Sequence, residues 1–288
     1  MIHENVLKPD FREVIDGLTL MDDVFMRAVM KDIRCAEYVL RIILDDPHLI
    51  LDGGYPEADM KNLWGRSLIM DFIGWNIRNS TNYNMEVQKR KERASPQFSL
   101  YCYSMLSSHT IKEGYHFESA WQKHVIVMIV EGDPTGQNQP VAQLSLHDDK
   151  TGVKIDGGIA IIYVDATKVN EDTEVGKLMK DFHQTNAEDM EDSVLKEAVQ
   201  HYKETEEGMV YMTETLERYF DQYLAPYEKA AMEIGEEKGR EKGIVQGQKK
   251  EALETVRRMI ALGDTDEAIL KRADVTEEEL KEIRKSMN

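Results

Sequence analysis

Apolar positions recur at helical spacing in the first part of the chain. Val14, Leu18, Met21, Phe25, Met26 and Val29 predict one helix with a break at Gly17. Ala36, Val39, Leu40 and Ile43 predict a second, over about 34–44. Residues 45–61 contain Pro47, Gly53-Gly54 and Pro56 and read as a loop or a short irregular strand. The period then changes. Trp64 to Asn76 and Asn84 to Lys91 read as short strands around the turn-rich Asn79-Ser80-Thr81-Asn82, which makes a β-hairpin. Pro96 opens a helix to about residue 112, with Phe98, Tyr101, Met105 and Leu106 on its buried face and Gly114 closing it. His124 to Val130 is a continuous β-branched apolar run, too short for most helices, so it predicts a central buried strand. Val141 to Leu146 reads as an edge strand and Gly158 to Val164 as another apolar strand.

Beyond Glu171 the pattern turns helical and acidic. Leu178, Met179 and Phe182 mark one helix, Val194 to Val199 a second, and Met209, Met212, Leu216 and Phe220 a third. Pro226 punctuates the chain. Gly235, Gly239, Gly243 and Gly247 then recur every fourth residue in a charged, helix-like stretch. Each costs about 1 kcal/mol relative to Ala inside a helix. That stretch reads as a partly ordered linker or, second, as a surface for close helix approach and homodimerisation. Two or three small helices follow, with loops at Gly263 and Asp274. The expected architecture is α/β: a mixed central sheet flanked by helices over 1–168, an acidic helical layer packed on it over 169–226, and a linker helix with a helical tail over 227–288.

The 288 residues suffice for one large domain and an appendage, and a hydrophobic share of 41% is compatible with a real core. No run approaches the ~20 apolar residues that span a bilayer. The N-terminus has no basic segment followed by an apolar one, and Cys35 and Cys102 are isolated in sequence, so a cytoplasmic protein without disulfides is expected. A net charge of −18 argues against a broadly basic DNA coat. The balance reverses locally in Lys89-Arg90-Lys91-Glu92-Arg93, which reads either as a solvated connection or as a small basic patch. No phosphate-binding glycine loop, zinc-ligand spacing or nucleophile elbow occurs, which leaves the hairpin as the chemistry-bearing constellation.

Within the hairpin, Asp71 sits in an apolar strand, while Glu86 and Gln88 are two apart and share a sheet face. Carboxylates on neighbouring strands repel, and a divalent cation between them relieves that repulsion. Hard oxygen ligands suit magnesium or manganese. The plainer alternative is that alternating polar residues mark a solvated face.

The run Asp71-Phe72-Ile73-Gly74, a turn, then Asn84-Met85-Glu86-Val87-Gln88 resembles the active-site hairpin of the PD-(D/E)XK nuclease superfamily. Specifically, it resembles the bacterial recombination-promoting nuclease or transposase-like family, in which Gln commonly stands in the place of Lys. Leu18 to Phe25, Ile111 to Tyr115, Asp133-Pro134, Asp156-Gly157-Gly158 and the glycine-punctuated tail resemble other parts of that family. The resemblance implies a restriction-endonuclease-like fold. It also implies a magnesium- or manganese-dependent DNA endonuclease linked to recombination or mobile elements, and a dimer if both strands are cut. Asp71, Glu86 and the backbone carbonyl of Val87 would hold the metal. Gln88 would replace the lysine, and Glu37 would be an extra acid. A neutral Gln only hydrogen-bonds. Arg90, two residues further on, is the candidate for the missing charge. The competing expectation is a nuclease-like fold kept as a binding or regulatory module.

Overall fold

The computed structural model describes residues 11–221, apart from 64, 112, 113 and 115, and residues 251–287, apart from 252 and 274. The glycine-punctuated stretch and Pro226, like Lys112, Glu113 and Tyr115 of the quoted motifs, lie outside the described residues. Contacts divide the chain into two units, Met1–Arg218 and Tyr219–Asn288.

The first unit opens with three short helices, α1 (Phe11–Gly17), α2 (Asp23–Val29) and α3 (Ile33–Ile43). The expected break at Gly17 is real, and a further one at 30–32 separates α2 from α3, where Asp32 caps α3 by accepting from Arg34 N. A six-stranded sheet follows: β1 (Gly53–Met60), β2 (Leu68–Asn76), β3 (Thr81–Gln88), β4 (Lys123–Val130), β5 (Val141–Leu144) and β6 (Ile159–Asp165). Its order is β1-β2-β3-β4-β6-β5. The first three strands form an antiparallel meander, β3, β4 and β6 run parallel, and β5 returns antiparallel along the edge. Parallel β3 and β4 need a crossover, which the helix α4 (Pro96–Thr110) and a short turn α5 (Phe117–Ala120) supply.

The glycine- and proline-rich segment before the hairpin is thus a full eight-residue strand. It survives because β1 is an edge strand, where the N–H that Pro56 lacks is not needed by a neighbour. The helix after the hairpin ends at Thr110 with Ile111 extended, a few residues short of Gly114. The β4 run is apolar throughout because both sheet faces are covered. On one face α4 packs Cys102, Met105 and Leu106 against Met70, Ile126, Met128 and Tyr163. On the other lie α1–α3 and the acidic-segment helices α6 (Glu174–Phe182), α7 (Ser193–Glu204) and α8 (Glu206–Tyr219). Their apolar stripes, with Phe25, Val39, Leu178, Phe182, Leu195 and Met212, close over Phe72, Met85, Val127 and Val164.

One buried lysine ties this layer together. Lys203 is 7% exposed, and its ammonium donates to the carbonyls of Asp16 at 3.0 Å, Leu18 at 2.6 Å and Thr185. These three carbonyls lie at or just beyond the ends of α1 and α6. Lys203→Met keeps the apolar stem and removes the donors. It is expected to cost roughly 2–4 kcal/mol, seen as a fall in melting temperature of about 5–10 °C.

The described residues 251–287 of the second unit form three helices: α9 (253–261), α10 (Asp266–Arg272) and α11 (Glu277–Met287). Val256, Ile269, Leu280 and Ile283 are its core. Gly263 turns the chain at φ +86°, and Thr265 caps α10. Among the described residues, no helix is long and apolar enough to cross a membrane, and both cysteines are buried free thiols.

Candidate functional site

The hairpin strands pair regularly from Asn76↔Thr81 to Phe72↔Met85 and then part. The next rung would set Asp71 opposite Glu86. Regular alternation also fails here: Met70 and Ile73 both face α4, although residues three apart should face opposite sides. On the facing strand the register position of Asp71 belongs to Glu57, which adopts φ +55°, an unusual conformation for a residue with a side chain.

Side chains take over where the ladder stops. Asp71 Oδ2 accepts from Val87 N at 3.0 Å, and Glu86 Oε1 accepts from Asp71 N at 3.1 Å. Asn84 Nδ2 donates to Glu86 Oε1 at 2.8 Å and to the Phe72 carbonyl at 3.2 Å. Each acid therefore satisfies a backbone N–H of the opposite strand, which holds both carboxyl groups in place. Asp71 is 2% exposed and Glu86 3%. Asn84 Oδ1, beside them, is buried with no hydrogen-bond partner among the described residues.

A third charged residue completes the group. Arg27, on α2, donates from Nε at 2.8 Å and from Nη2 at 2.5 Å to the same oxygen, Asp71 Oδ1. Its guanidinium also lies 3.4 Å from Asp23 and 3.6 Å from Glu57. Nothing in the hairpin sequence points to it. The signal was local to the helix: Arg27 is the sole charge in the run Val24-Phe25-Met26-Arg27-Ala28-Val29-Met30. A charge on an apolar face needs a buried partner.

Gln88 is half-buried two residues beyond Glu86, and its carbonyl accepts from Glu131 N at 2.9 Å. Since Gln88 bonds towards β4, the N–H and C=O of Val87 point the other way, into the gap beside Asp71. Arg90 is exposed and begins a 3-10 turn over Lys91–Arg93. Among the described residues, no hydrogen bond or ion pair joins it to either acid. Lys89 bonds Asp22 at 2.6 Å, which fastens the end of β3 to the start of α2. Glu37 is held elsewhere. It is 15% exposed rather than solvated, and it accepts from Leu51 N at 2.8 Å and from Arg41 Nη2 at 3.1 Å, pinning the approach to β1 onto α3. Its helix is not the one that reaches the carboxylates; α2 is.

Burial raises Glu86 well above the ordinary carboxylate range, and the neighbouring charge of Asp71 adds to the rise. Burial raises Asp71 too, but Arg27 and the Val87 N–H oppose it, so of the two Glu86 holds the proton more readily. For Arg27, burial lowers the pKa, and Asp71, with Asp23, more than reverses that. The Cys102 thiol beneath the pair is pushed up by burial, with Glu86 and Asp71 contributing.

The donor set suits a hard divalent cation: two carboxylates, a backbone carbonyl and an unpartnered amide oxygen at one gap. Magnesium needs only one or two protein carboxylates when substrate phosphates complete its shell. Among the described residues there is no group of three or more His, Cys, Asp or Glu side chains arranged for a metal. Arg27 already counters Asp71. Comparison with protein-family models, with curated proteins and with solved structures returned no match.

Glu86 also makes the stability of the fold depend on pH. Between the ordinary Glu range and the raised value in the fold, the folded chain holds a proton that the unfolded chain has lost. Stability therefore falls as pH rises through that window and is level above it. Glu86→Gln keeps the acceptor for Asp71 N and Asn84 Nδ2 and removes the charge. Metal-free, the variant should gain about 1–2 kcal/mol at pH 8 and lose that part of the pH slope, read by urea unfolding at pH 5 and pH 8.

Proposed function

We propose that this chain is a metal-dependent phosphodiester hydrolase acting on DNA, with its centre at the gap between β2 and β3. The observation that carries the reading is the pair of buried acids, Asp71 and Glu86, fixed by backbone N–H groups where the strand ladder stops. Two acids at one gap are costly to bury, and a cation relieves that cost. The order of helix, antiparallel hairpin, crossover helix and parallel strand agrees with the resemblance carried by the hairpin residues.

In this reading Asp71, Glu86 and the Val87 carbonyl hold magnesium or manganese. The ion lowers the pKa of a bound water and offsets charge on the phosphate. Gln88, on the Glu86 face, hydrogen-bonds the phosphate or the attacking water through its amide. The exposed Arg90, Lys91 and Arg93 next to it attract the nucleic-acid backbone in a chain that is otherwise strongly acidic. Cutting both strands of a duplex takes two such centres, for which a homodimer through the C-terminal helices would serve. The link to recombination rests on the family resemblance.

The second reading, a binding or regulatory module, is favoured by one observation: the chain already provides a counter-ion, Arg27, for Asp71. Manganese binding and nicking of supercoiled plasmid separate the two. The hydrolase takes up the ion and nicks DNA only with it. A folded protein that does neither is the module.

A further inference from the structure

Gln88 leaves the proposed centre without the fixed positive charge that a lysine would bring, and Arg90 has no contact with the acids. Arg27 does. We infer that Arg27 supplies this charge: it neutralises Asp71 in the resting protein, and it pairs with the phosphodiester once a divalent cation takes Asp71. The inference rests on the hydrolase reading.

Three features of the geometry carry it. First, the charges do not balance. Asp23, Glu57 and Asp71 converge on one guanidinium, and Glu86 lies on the far side of Asp71. Among the described residues, one guanidinium meets three carboxylates, with the carboxyl of Glu86 next to them, which leaves room for a second cation. Second, the bonds are lopsided. Nε and Nη2 both donate to a single oxygen of Asp71, while the nearest acid to Nη1 is Glu57 at 3.6 Å, so guanidinium donors remain for an anion. Third, release from Asp71 would not strand the arginine. Asp23, one helical turn before it, and Glu57 keep a hold on the head, while α2 is packed into the core by Phe25, Met26 and Val29. The side chain of Arg27 is 16% exposed, so it is not sealed from solvent. Lys89, bonded to Asp22 just before α2, continues into the basic run. A planar, five-donor guanidinium suits a phosphate better than an ammonium does.

The full-length chain and its Arg27→Met and Arg27→Lys variants provide the test. Manganese binding is read from the electron paramagnetic resonance of the free ion, without nucleic acid. Duplex binding is then read in calcium, an ion that commonly supports binding without cleavage. Removing the internal competitor should tighten manganese binding by about tenfold in Arg27→Met, equivalent to roughly 1.4 kcal/mol. Losing the phosphate partner should weaken duplex binding by a similar factor. Arg27→Lys, with one compact charge, should fall between wild type and Arg27→Met on both readouts. A purely structural arginine would not move the two affinities in opposite directions. Unchanged or weaker manganese binding by folded Arg27→Met overturns the inference. Should Arg27→Met not fold, the lysine variant decides: manganese binding equal to wild type overturns it. If wild type and both variants are folded and none binds manganese, the hydrolase reading itself falls.

Discussion

Asp71→Asn and Glu86→Gln are each expected to reduce magnesium-dependent nicking of supercoiled plasmid by roughly 10³-fold or more. The size follows from what the acids do. Each is a direct ligand in the proposed centre, and a divalent ion in a water-poor gap offsets developing phosphate charge far better than it could in bulk water. The two variants also separate chemistry from folding. Glu86→Gln removes a buried, proton-hungry carboxyl and should leave the metal-free protein more stable, so lost nicking cannot be put down to unfolding. Asp71→Asn keeps an acceptor for Val87 N but takes the charge from Arg27. Nicking that persists equally in both variants would remove the hairpin from the reaction. Arg90→Ala serves as the contrast. Its side chain is exposed and joined to neither acid, so only a modest loss through weaker DNA binding is expected, relieved at low salt.

Arg27→Ala should give the largest loss of stability of any single change at this centre, roughly 3–5 kcal/mol in metal-free protein at pH 8. The cost does not measure the strength of the ion pair. Taking away the arginine leaves Asp71 buried beside Glu86 with only backbone donors to answer its charge. The loss should shrink as pH falls, because both carboxyl groups already sit above their ordinary range and take up protons that cancel the unpaired charge. On the hydrolase reading it should also shrink when manganese is added, since an ion bound only by the folded state stabilises by about 2.7 kcal/mol at a hundred times its dissociation constant. Urea unfolding at two pH values, with and without manganese, measures all three effects. A variant as stable as wild type at pH 8 would mean that Asp71 is already protonated there.

The parts of this protein that were legible along the chain are those governed by neighbours in sequence. The unbroken apolar run Val125–Val130 of β4 reports burial on both faces, because both sides of the sheet there are covered by core side chains. The helical stripes of α6, α7 and α8 report one buried face each. Asp71 stands out as an acid in an apolar strand, Glu86 shares one face of the next strand with Gln88, and the turn between the strands brings them together. β1 was harder to read. Its glycines and proline argue for a loop or a short irregular strand, and it becomes a full eight-residue strand because β2 offers a ladder on one side and none is needed on the other.

What the chain could not reveal is the partner of each charge. Arg27 and Asp71 are 44 residues apart and meet only because α2 lies against the gap in the hairpin. Glu37 and Arg27 occupy neighbouring helices, and the family resemblance offers Glu37 alone as the extra acid. Helix packing sends Glu37 to Leu51 and Arg41, and Arg27 to the acids. The stopping of the ladder one rung short of Asp71 and Glu86 is likewise invisible in an alternating pattern. Periodicity shows which face a side chain takes, because it follows from local backbone geometry. It carries no information on which charge lies across that face, because that depends on how separate elements pack.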